Sequence, residues 1–166
     1  MEFSHKLGLS IDGFAADFDK GFFKWFDTPY IKYPRWENPY IEERLSGLHK
    51  IARFWEGLDP LIRPEDLDFP FDCWITDRVI HNDISKRWLD KHGLLKGKPV
   101  FTVPESKVPI AVERKLTDFI DDRPKNIQEM EAAGINGWIV SRYCNAYFDH
   151  SRRIDSITEI KTKIFI

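Results

Sequence analysis

Residues 7–18, LGLSIDGFAADF, begin as an apolar strand, carry the polar pair Ser10 and Asp12 at its end, and turn at Gly13 into an amphipathic segment. In α/β proteins the ligand lies in the crevice outside the carboxyl ends of the parallel strands. A strand that ends in polar side chains beside a glycine turn therefore predicts a ligand site at this point of the chain.

The segments that follow alternate between short apolar runs and amphipathic ones. Strands are expected at 3–11, 71–76, 99–103, 118–122 and 137–140. Helices are expected at 81–92, 110–114 and 124–133, and residues 153–160 are interpreted as a capped turn or short helix. This alternation predicts an α/β fold, with a Rossmann-like parallel sheet and helices on both of its faces.

A long stretch rich in aromatic residues separates the first strand from the second. Apolar residues recur at helical spacing over 14–26 and over 42–55, whereas 27–40 contains three prolines, which disfavour helix. We expect residues 14–60 to form a small, mainly helical insertion, here called the cap segment. The predicted domains are this cap segment and a core of residues 1–13 and 61–166.

The nearly equal numbers of basic and acidic residues give no support for a polyanionic partner. Among 166 residues, 25 are Lys or Arg and 27 are Asp or Glu, so no positive excess favours a nucleic acid polymer or an anionic membrane. Cys73 and Cys144 each lie in an apolar run without zinc-type spacing, and we expect buried thiols. With no secretory signal and no apolar run that could span a bilayer, the sequence predicts a soluble cytoplasmic protein.

Polar residues recur where the expected strands finish. They are Ser10, Asp12, Thr76, Lys107, Asp121 and Asp122. Because parallel strands end at one edge of the sheet, we expect these groups to converge. Clustered carboxylates suit Mg²⁺, and a hydroxyl beside an ammonium suits phosphate, so the set favours phosphoryl transfer. Taken singly, each residue is more often a cap, a turn residue or a solvated side chain, and the prediction depends on their joint occurrence.

These motifs resemble those of the haloacid dehalogenase-like (HAD) superfamily of phosphatases, and within it the small 5′(3′)-deoxyribonucleotidases. The first motif is similar to residues 10–17, SIDGFAAD, and the second to 74–78, WITDR. The lysine of the third motif matches Lys107, with Lys115 as the alternative, and the fourth motif matches 119–124, FIDDRP. The resemblance covers nearly the whole chain and implies the HAD-like fold with its cap.

The resemblance implies a role for each matching residue. The family's first aspartate attacks phosphorus and forms an aspartyl-phosphate, and Ser10 holds its position in this chain. The other implied roles are general acid and base for Asp12, phosphate binding for Thr76 and Lys107, and metal binding for Asp121, Asp122 and the backbone carbonyl of Asp12. The implied cofactor is Mg²⁺, and the implied ligand is a small phosphorylated molecule, a nucleoside monophosphate. The sequence leaves a homodimer open.

Side chains of the cap segment are candidates for selecting the substrate. Aromatic rings that stack on nucleobases contribute about 1–3 kcal/mol each. The candidate rings are those of Phe18, Tyr30, Tyr33 and Trp36, and the candidate charges for a nucleotide phosphate are Arg35 and Arg78. The alternative is that most of these rings pack the cap segment's own core and that both arginines lie on the surface.

Ser10 is the departure from the family pattern. A serine hydroxyl is a weak nucleophile without an adjacent base, and it removes one negative charge from the expected metal site. Three explanations stay open: deliberate inactivation, a natural pseudo-phosphatase that binds a nucleotide or a protein partner, or different chemistry run by Asp12 or a neighbour. The sequence thus predicts a Mg²⁺-dependent nucleotidase-type phosphatase that is inactive or impaired, with a non-catalytic binding protein as the alternative.

Overall fold

A computed structural model describes residues 5–166, and a six-stranded sheet forms the centre of this part of the chain. The strands are β1 (Leu7–Leu9), β2 (Cys73–Thr76), β3 (Val100–Thr102), β4 (Asp118–Asp121), β5 (Asn136–Val140) and β6 (Arg153–Ile154). The helices are α1 (Phe18–Trp25), α2 (Pro39–Leu45), α3 (Ala52–Glu56), α4 (Asn82–Lys91), α5 (Val108–Glu113), α6 (Pro124–Ala132) and α7 (Ile160–Ile164). All neighbouring strands are parallel, in the order β3-β2-β1-β4-β5-β6, which confirms the predicted α/β class.

β1 lies in the middle of the sheet, between β2 and β4. Leu9 pairs with Trp74 of β2 on one side and with Ile120 of β4 on the other. The chain leaves the strand at Ser10, whose amide donates to the Ile120 carbonyl at 3.0 Å. The residues after β1 therefore emerge between the ends of two neighbouring strands, at the edge where the sequence predicts the site. The part of the expected first strand before residue 5 lies outside the described residues.

Helices cover both faces of the sheet, as predicted. Alternate residues of a strand point to opposite faces, so Cys73 and Ile75 pack in one cluster with Met130 of α6. Trp74 packs in the other cluster with Trp88 of α4. Both cysteines of the chain are buried thiols without a disulfide, as expected. Within residues 5–166, no helix combines the length and the apolar content needed to cross a membrane.

The first helix of the cap segment starts later than predicted. α1 begins at Phe18 rather than at residue 14, because the residues after β1 form a tight turn in which the Gly13 amide donates to the Ala16 carbonyl at 2.9 Å. Asp17 then caps the helix, since its carboxylate accepts from the Lys20 amide at 3.2 Å.

The helical pattern predicted over 42–55 is interrupted. α2 already begins at Pro39, where the Asn38 side chain accepts from the Tyr40 amide at 3.0 Å. A 3₁₀ turn at Ser46–Leu48 then separates α2 from α3. Glycine at position 47 lowers helix propensity there, which the apolar spacing alone does not show. The division into core and cap segment stays a prediction.

The interpretation of residues 153–160 as a capped turn or short helix is correct for the second half of the segment and wrong for its start. Ile157–Glu159 form a 3₁₀ turn capped by Ser156, and α7 follows it. Arg153 and Ile154 instead form β6, which pairs in parallel with Ile139 and Val140 of β5. A strand of two residues is too short to show the alternation that marks a strand in a sequence.

Replacement of Trp88 by Phe is expected to destabilise the protein. Trp88 is fully buried, and its Nε1 donates to the Leu58 carbonyl at 2.8 Å, which fixes the end of the cap segment to α4. The variant leaves a cavity and a buried carbonyl without its donor, so the free energy of unfolding should fall by about 2–3 kcal/mol. Urea unfolding measures this, with Tyr143→Phe on the surface as the control, and a loss no larger than the control's contradicts the expectation.

Candidate active site

The predicted site residues converge at the carboxyl edge of the sheet, around a cavity of about 480 Å³. Parallel strands that share one direction bring their following loops to one edge, which is why residues far apart in the chain meet there. The predicted residues that line the cavity are Ser10, Asp12, Phe18, Tyr33, Trp36, Arg78, Lys107, Asp121 and Asp122. This placement agrees with the expected convergence for most of the set.

Lys107 lies at the floor of the cavity, between two of the predicted residues. Its Nζ donates to Ser10 Oγ at 2.9 Å and to Asp121 Oδ2 at 2.7 Å, and all three residues are buried. Burial alone lowers the pKa of Lys107, but the charges of Asp121 and Asp77 outweigh it, so this pKa is raised. Lys107 is therefore an ammonium that cannot take a proton from Ser10. Lys115, the alternative for the third motif, is exposed in the turn after α5.

Asp121 accepts hydrogen bonds on both carboxylate oxygens. Oδ1 accepts from the amides of Asp122 at 2.8 Å and Arg123 at 3.1 Å. Oδ2 accepts from Lys107 and, at 2.8 Å, from the side-chain amide of Asn126. Two oxygens offer about four lone-pair positions, so these four donors satisfy the carboxylate.

Arg78 holds the carboxylate of Asp12 through two hydrogen bonds. Its Nε donates to Oδ2 at 2.8 Å and its Nη2 to Oδ1 at 2.7 Å. The guanidinium lies over the rings of Trp55 and Trp88, 5.1 and 5.7 Å from their centroids, and the side chain is fully buried. The alternative that Arg78 is a surface residue is wrong, because two tryptophans from separate segments enclose it.

Thr76 is buried at the end of β2. It is absent from the cavity lining that the described residues form. Its Oγ1 accepts from the Arg78 amide at 3.3 Å, as expected of a residue that caps the following turn. Its role in phosphate binding stays a prediction.

Asp122 is buried against the turn that follows β1. Gly13 has a φ of +78°, and a Cβ added there would lie 1.9 Å from Oδ2 of Asp122. Burial, followed by the charges of Asp121 and Asp19, raises the pKa of Asp122 well above its usual range. Asp122 has no salt-bridge partner among the described residues, in contrast to Asp121.

The aromatic residues predicted to select the substrate divide into two groups. Trp36 and Tyr33 line the cavity, and the guanidinium of Arg123 lies 5.6 Å from the Trp36 ring centroid. Phe18 also lines it but stacks on Trp55, at 5.9 Å between ring centroids. These rings make part of the cavity lining aromatic.

Tyr30 and Arg35 are not part of the cavity lining in the described chain. Tyr30 is 40% exposed and packs edge-on against Phe23. Arg35 lies over the ring of Tyr147, 5.1 Å from its centroid, which joins the cap segment to the loop after β5. Both side chains therefore pack against other aromatic residues, outside the cavity.

Sequence reasoning missed a group of cavity residues on and next to α2. The group consists of Asn38, which caps the helix, Ile41, Glu42 and Leu45 within it, and His49 after the 3₁₀ turn. The spacing of Ile41, Glu42 and Leu45 places them on one side of α2, and this signal was present in the sequence. The residues Trp55 and Asn126 were missed as site residues because their contacts depend on the tertiary fold.

The side chains at the cavity floor do not fit a preformed site for a divalent cation. HAD hydrolases generally use Mg²⁺, which prefers oxygen ligands in octahedral geometry. Within residues 5–166, no group of three or more Asp, Glu, His or Cys side chains is arranged to hold a metal. Asp121 and Asp12 already bind Lys107 and Arg78, and Ser10 brings no charge. Asp122 is the carboxylate left at the floor.

Comparison with solved structures identifies the fold. No protein-family model matches the chain, and no curated protein is similar to it in sequence. A haloacid dehalogenase-like hydrolase from Streptococcus pneumoniae superposes with a TM-score of 0.62 at 10% identity, covering 95% of this chain and 97% of that one. A HAD-superfamily hydrolase of subfamily IA from Geobacter sulfurreducens gives 0.60 at 14% identity, covering 96% and 99%. This chain therefore has the fold of the HAD-superfamily hydrolases.

Replacement of Gly13 by Ala should be more harmful than the same change at Gly134. Both glycines have a positive φ, +78° and +77°, so an alanine Cβ costs about 1–2 kcal/mol at either position. Only at Gly13 does the Cβ also collide with a carboxylate, that of Asp122, whereas nothing lies within 4 Å at Gly134. Urea unfolding of the two variants should differ by at least about 1 kcal/mol, and equal losses contradict the collision.

Proposed function

We propose that this chain binds a phosphate monoester, a nucleoside monophosphate, in the cavity between the sheet edge and the cap segment, and that it hydrolyses this ligand slowly or not at all. The observation that supports this proposal is the hydrogen bond from the Lys107 ammonium to the hydroxyl of Ser10, the residue that the resemblance implies at the nucleophile position. In this proposal the phosphate contacts Lys107 and Ser10.

The hydrogen-bond donors and rings of the cavity support a nucleotide ligand. Four basic and six acidic side chains of the described residues line it, and the bases Arg78, Lys107 and Arg123 are paired there with Asp12, Asp121 and Asp77. The lining also carries the rings of Tyr33 and Trp36, on which a base could stack for about 1–3 kcal/mol. A volume of about 480 Å³ is within the range of small-molecule sites. The polar floor and the aromatic rings thus suit a ligand that is anionic at one end and flat at the other.

The hydrogen bonds of the floor support impaired turnover. A serine needs a neighbouring base to attack phosphorus, and the group beside Ser10 is a protonated lysine that donates to it. Asp12, the acid and base implied by the resemblance, has both oxygens bound to Arg78. The fold itself is that of hydrolases, so the arrangement is best explained as a phosphatase site that has lost its nucleophile.

Phosphate release from a panel of deoxynucleoside monophosphates tests the loss of the nucleophile. With Mg²⁺ present, we expect the chain with Ser10 to remain at background and Ser10→Asp to gain turnover, because the variant restores both a nucleophile and a metal ligand. Ser10→Ala is the control that should stay at background. Turnover by the chain with Ser10 at a rate equal to or above that of Ser10→Asp contradicts the proposal, as does absence of nucleotide binding by the chain with Ser10.

Calorimetric titration with the same nucleotides tests the phosphate contact. Lys107→Met should weaken binding by at least about tenfold, because a charge-assisted hydrogen bond in a buried site is lost. The matched control is Lys115→Met, which removes an exposed lysine from the turn after α5 and should change affinity by less than about twofold. Thermal unfolding verifies that both variants fold, and equal affinities of the two variants contradict the role of Lys107.

A further inference from the structure

At the floor of the cavity, two of the carboxylates expected near a metal are paired with basic side chains instead, Asp121 with Lys107 and Asp12 with Arg78. A carboxylate has about four lone-pair positions, and in Asp121 four protein donors occupy them. A cation that bound Asp121 would have to displace at least one donor and would lie next to the ammonium of Lys107, which is 2.7 Å from Oδ2. The repulsion between two cations in a buried site is strong, so Asp121 is a poor ligand for a second one.

The remaining groups do not compensate for the loss of Asp121. Asp12 directs both carboxylate oxygens to Arg78, whose side chain is fully buried, so the atom it could offer a cation is its neutral backbone carbonyl. Ser10 contributes a neutral hydroxyl that already accepts from Lys107. Mg²⁺ gives up its water reluctantly and takes carboxylates or phosphates in exchange, so one unpaired carboxylate, Asp122, is a weak substitute for the usual set.

We infer that this chain binds its phosphorylated ligand without a divalent cation, and that the buried side chains Lys107 and Arg78 supply charged N–H donors at the cavity floor instead. The geometry that carries this inference is the pairing of Lys107 with Ser10 and Asp121 and of Arg78 with Asp12. The inference rests on the proposed function for the identity of the ligand. Its statement about the cation rests on the side chains alone.

Direct metal binding is tested with Mn²⁺, whose electron paramagnetic resonance signal distinguishes free from bound ion. We expect no bound Mn²⁺ on the chain with Ser10 at millimolar concentrations. Ser10→Asp, which adds a carboxylate beside Lys107 at the cavity floor, is expected to bind one. Absence of binding by both forms also supports the inference, because Asp121 and Asp12 keep their partners in both. One Mn²⁺ per chain with Ser10, at a Kd tighter than about 0.1 mM and lost in Asp122→Asn, overturns it.

Ligand binding without a metal is tested by calorimetry with inorganic phosphate and with deoxythymidine monophosphate. The affinity of the chain with Ser10 in Mg²⁺ and in EDTA should agree within about twofold. Asp122→Asn should bind these anions equally or more tightly, because it removes an acidic group near the phosphate. Affinity that rises about tenfold or more with Mg²⁺, or falls about tenfold in Asp122→Asn, overturns the inference.

The two proposals fail in different ways. If neither phosphate nor any nucleotide of the panel binds, the proposed function is wrong, and the Mn²⁺ titration still decides the statement about the cation. If a nucleotide binds only with Mg²⁺, the proposed function stands and the inference is wrong. Asp122→Asn keeps the size of the side chain, and thermal unfolding shows whether it is folded.

Discussion

The ammonium of Lys107, held between the Ser10 hydroxyl and the Asp121 carboxylate, is the interaction on which the site depends. A buried charge is strongly unfavourable unless it is paired and hydrogen-bonded, and Lys107 and Asp121 satisfy that condition for each other. Because Ser10 follows β1 and Asp121 ends β4, the same contact joins the ends of two central strands. The contact therefore stabilises the carboxyl edge of the sheet as well as the floor of the cavity.

The order of the strands explains why the residues of the site lie close together. β1 lies between β2 and β4, so the residues that follow these three strands meet without long connections. The Gly13 turn then brings the backbone against Asp122, which a side chain at position 13 would prevent. Arg78 follows β2 and reaches across to Asp12 after β1. The contact of Arg78 with Asp12 is an ion pair, and the contact of Gly13 with Asp122 is a close approach of the backbone.

The polar strand ends were predictable because apolar runs and the residues that end them are local in the sequence. Ser10, Asp12, Lys107 and Asp121 could be assigned to the site in this way, and the structure brings them to one cavity. The surroundings of a side chain are not local. Arg78 is buried only because Trp55 and Trp88, from segments far apart in the chain, enclose it, and no spacing shows this. The direction of each aromatic ring of the cap segment is equally non-local, which is why Trp36 lines the cavity and Tyr30 does not.

The attachment of α3 has a consequence for the cap segment. Trp55 covers Arg78, Glu56 accepts from Arg87 of α4 at 2.7 Å, and Trp88 donates to the Leu58 carbonyl. The end of the cap segment is therefore fixed to the core on one side, and its movement there would uncover a buried guanidinium. Residues 27–38, in contrast, have no regular helix or strand, and Ile31 among them is 60% exposed. The cap segment is thus held to the core at its end, through α3 and Leu58, by ion pairs and hydrogen bonds, while its middle part has an irregular backbone.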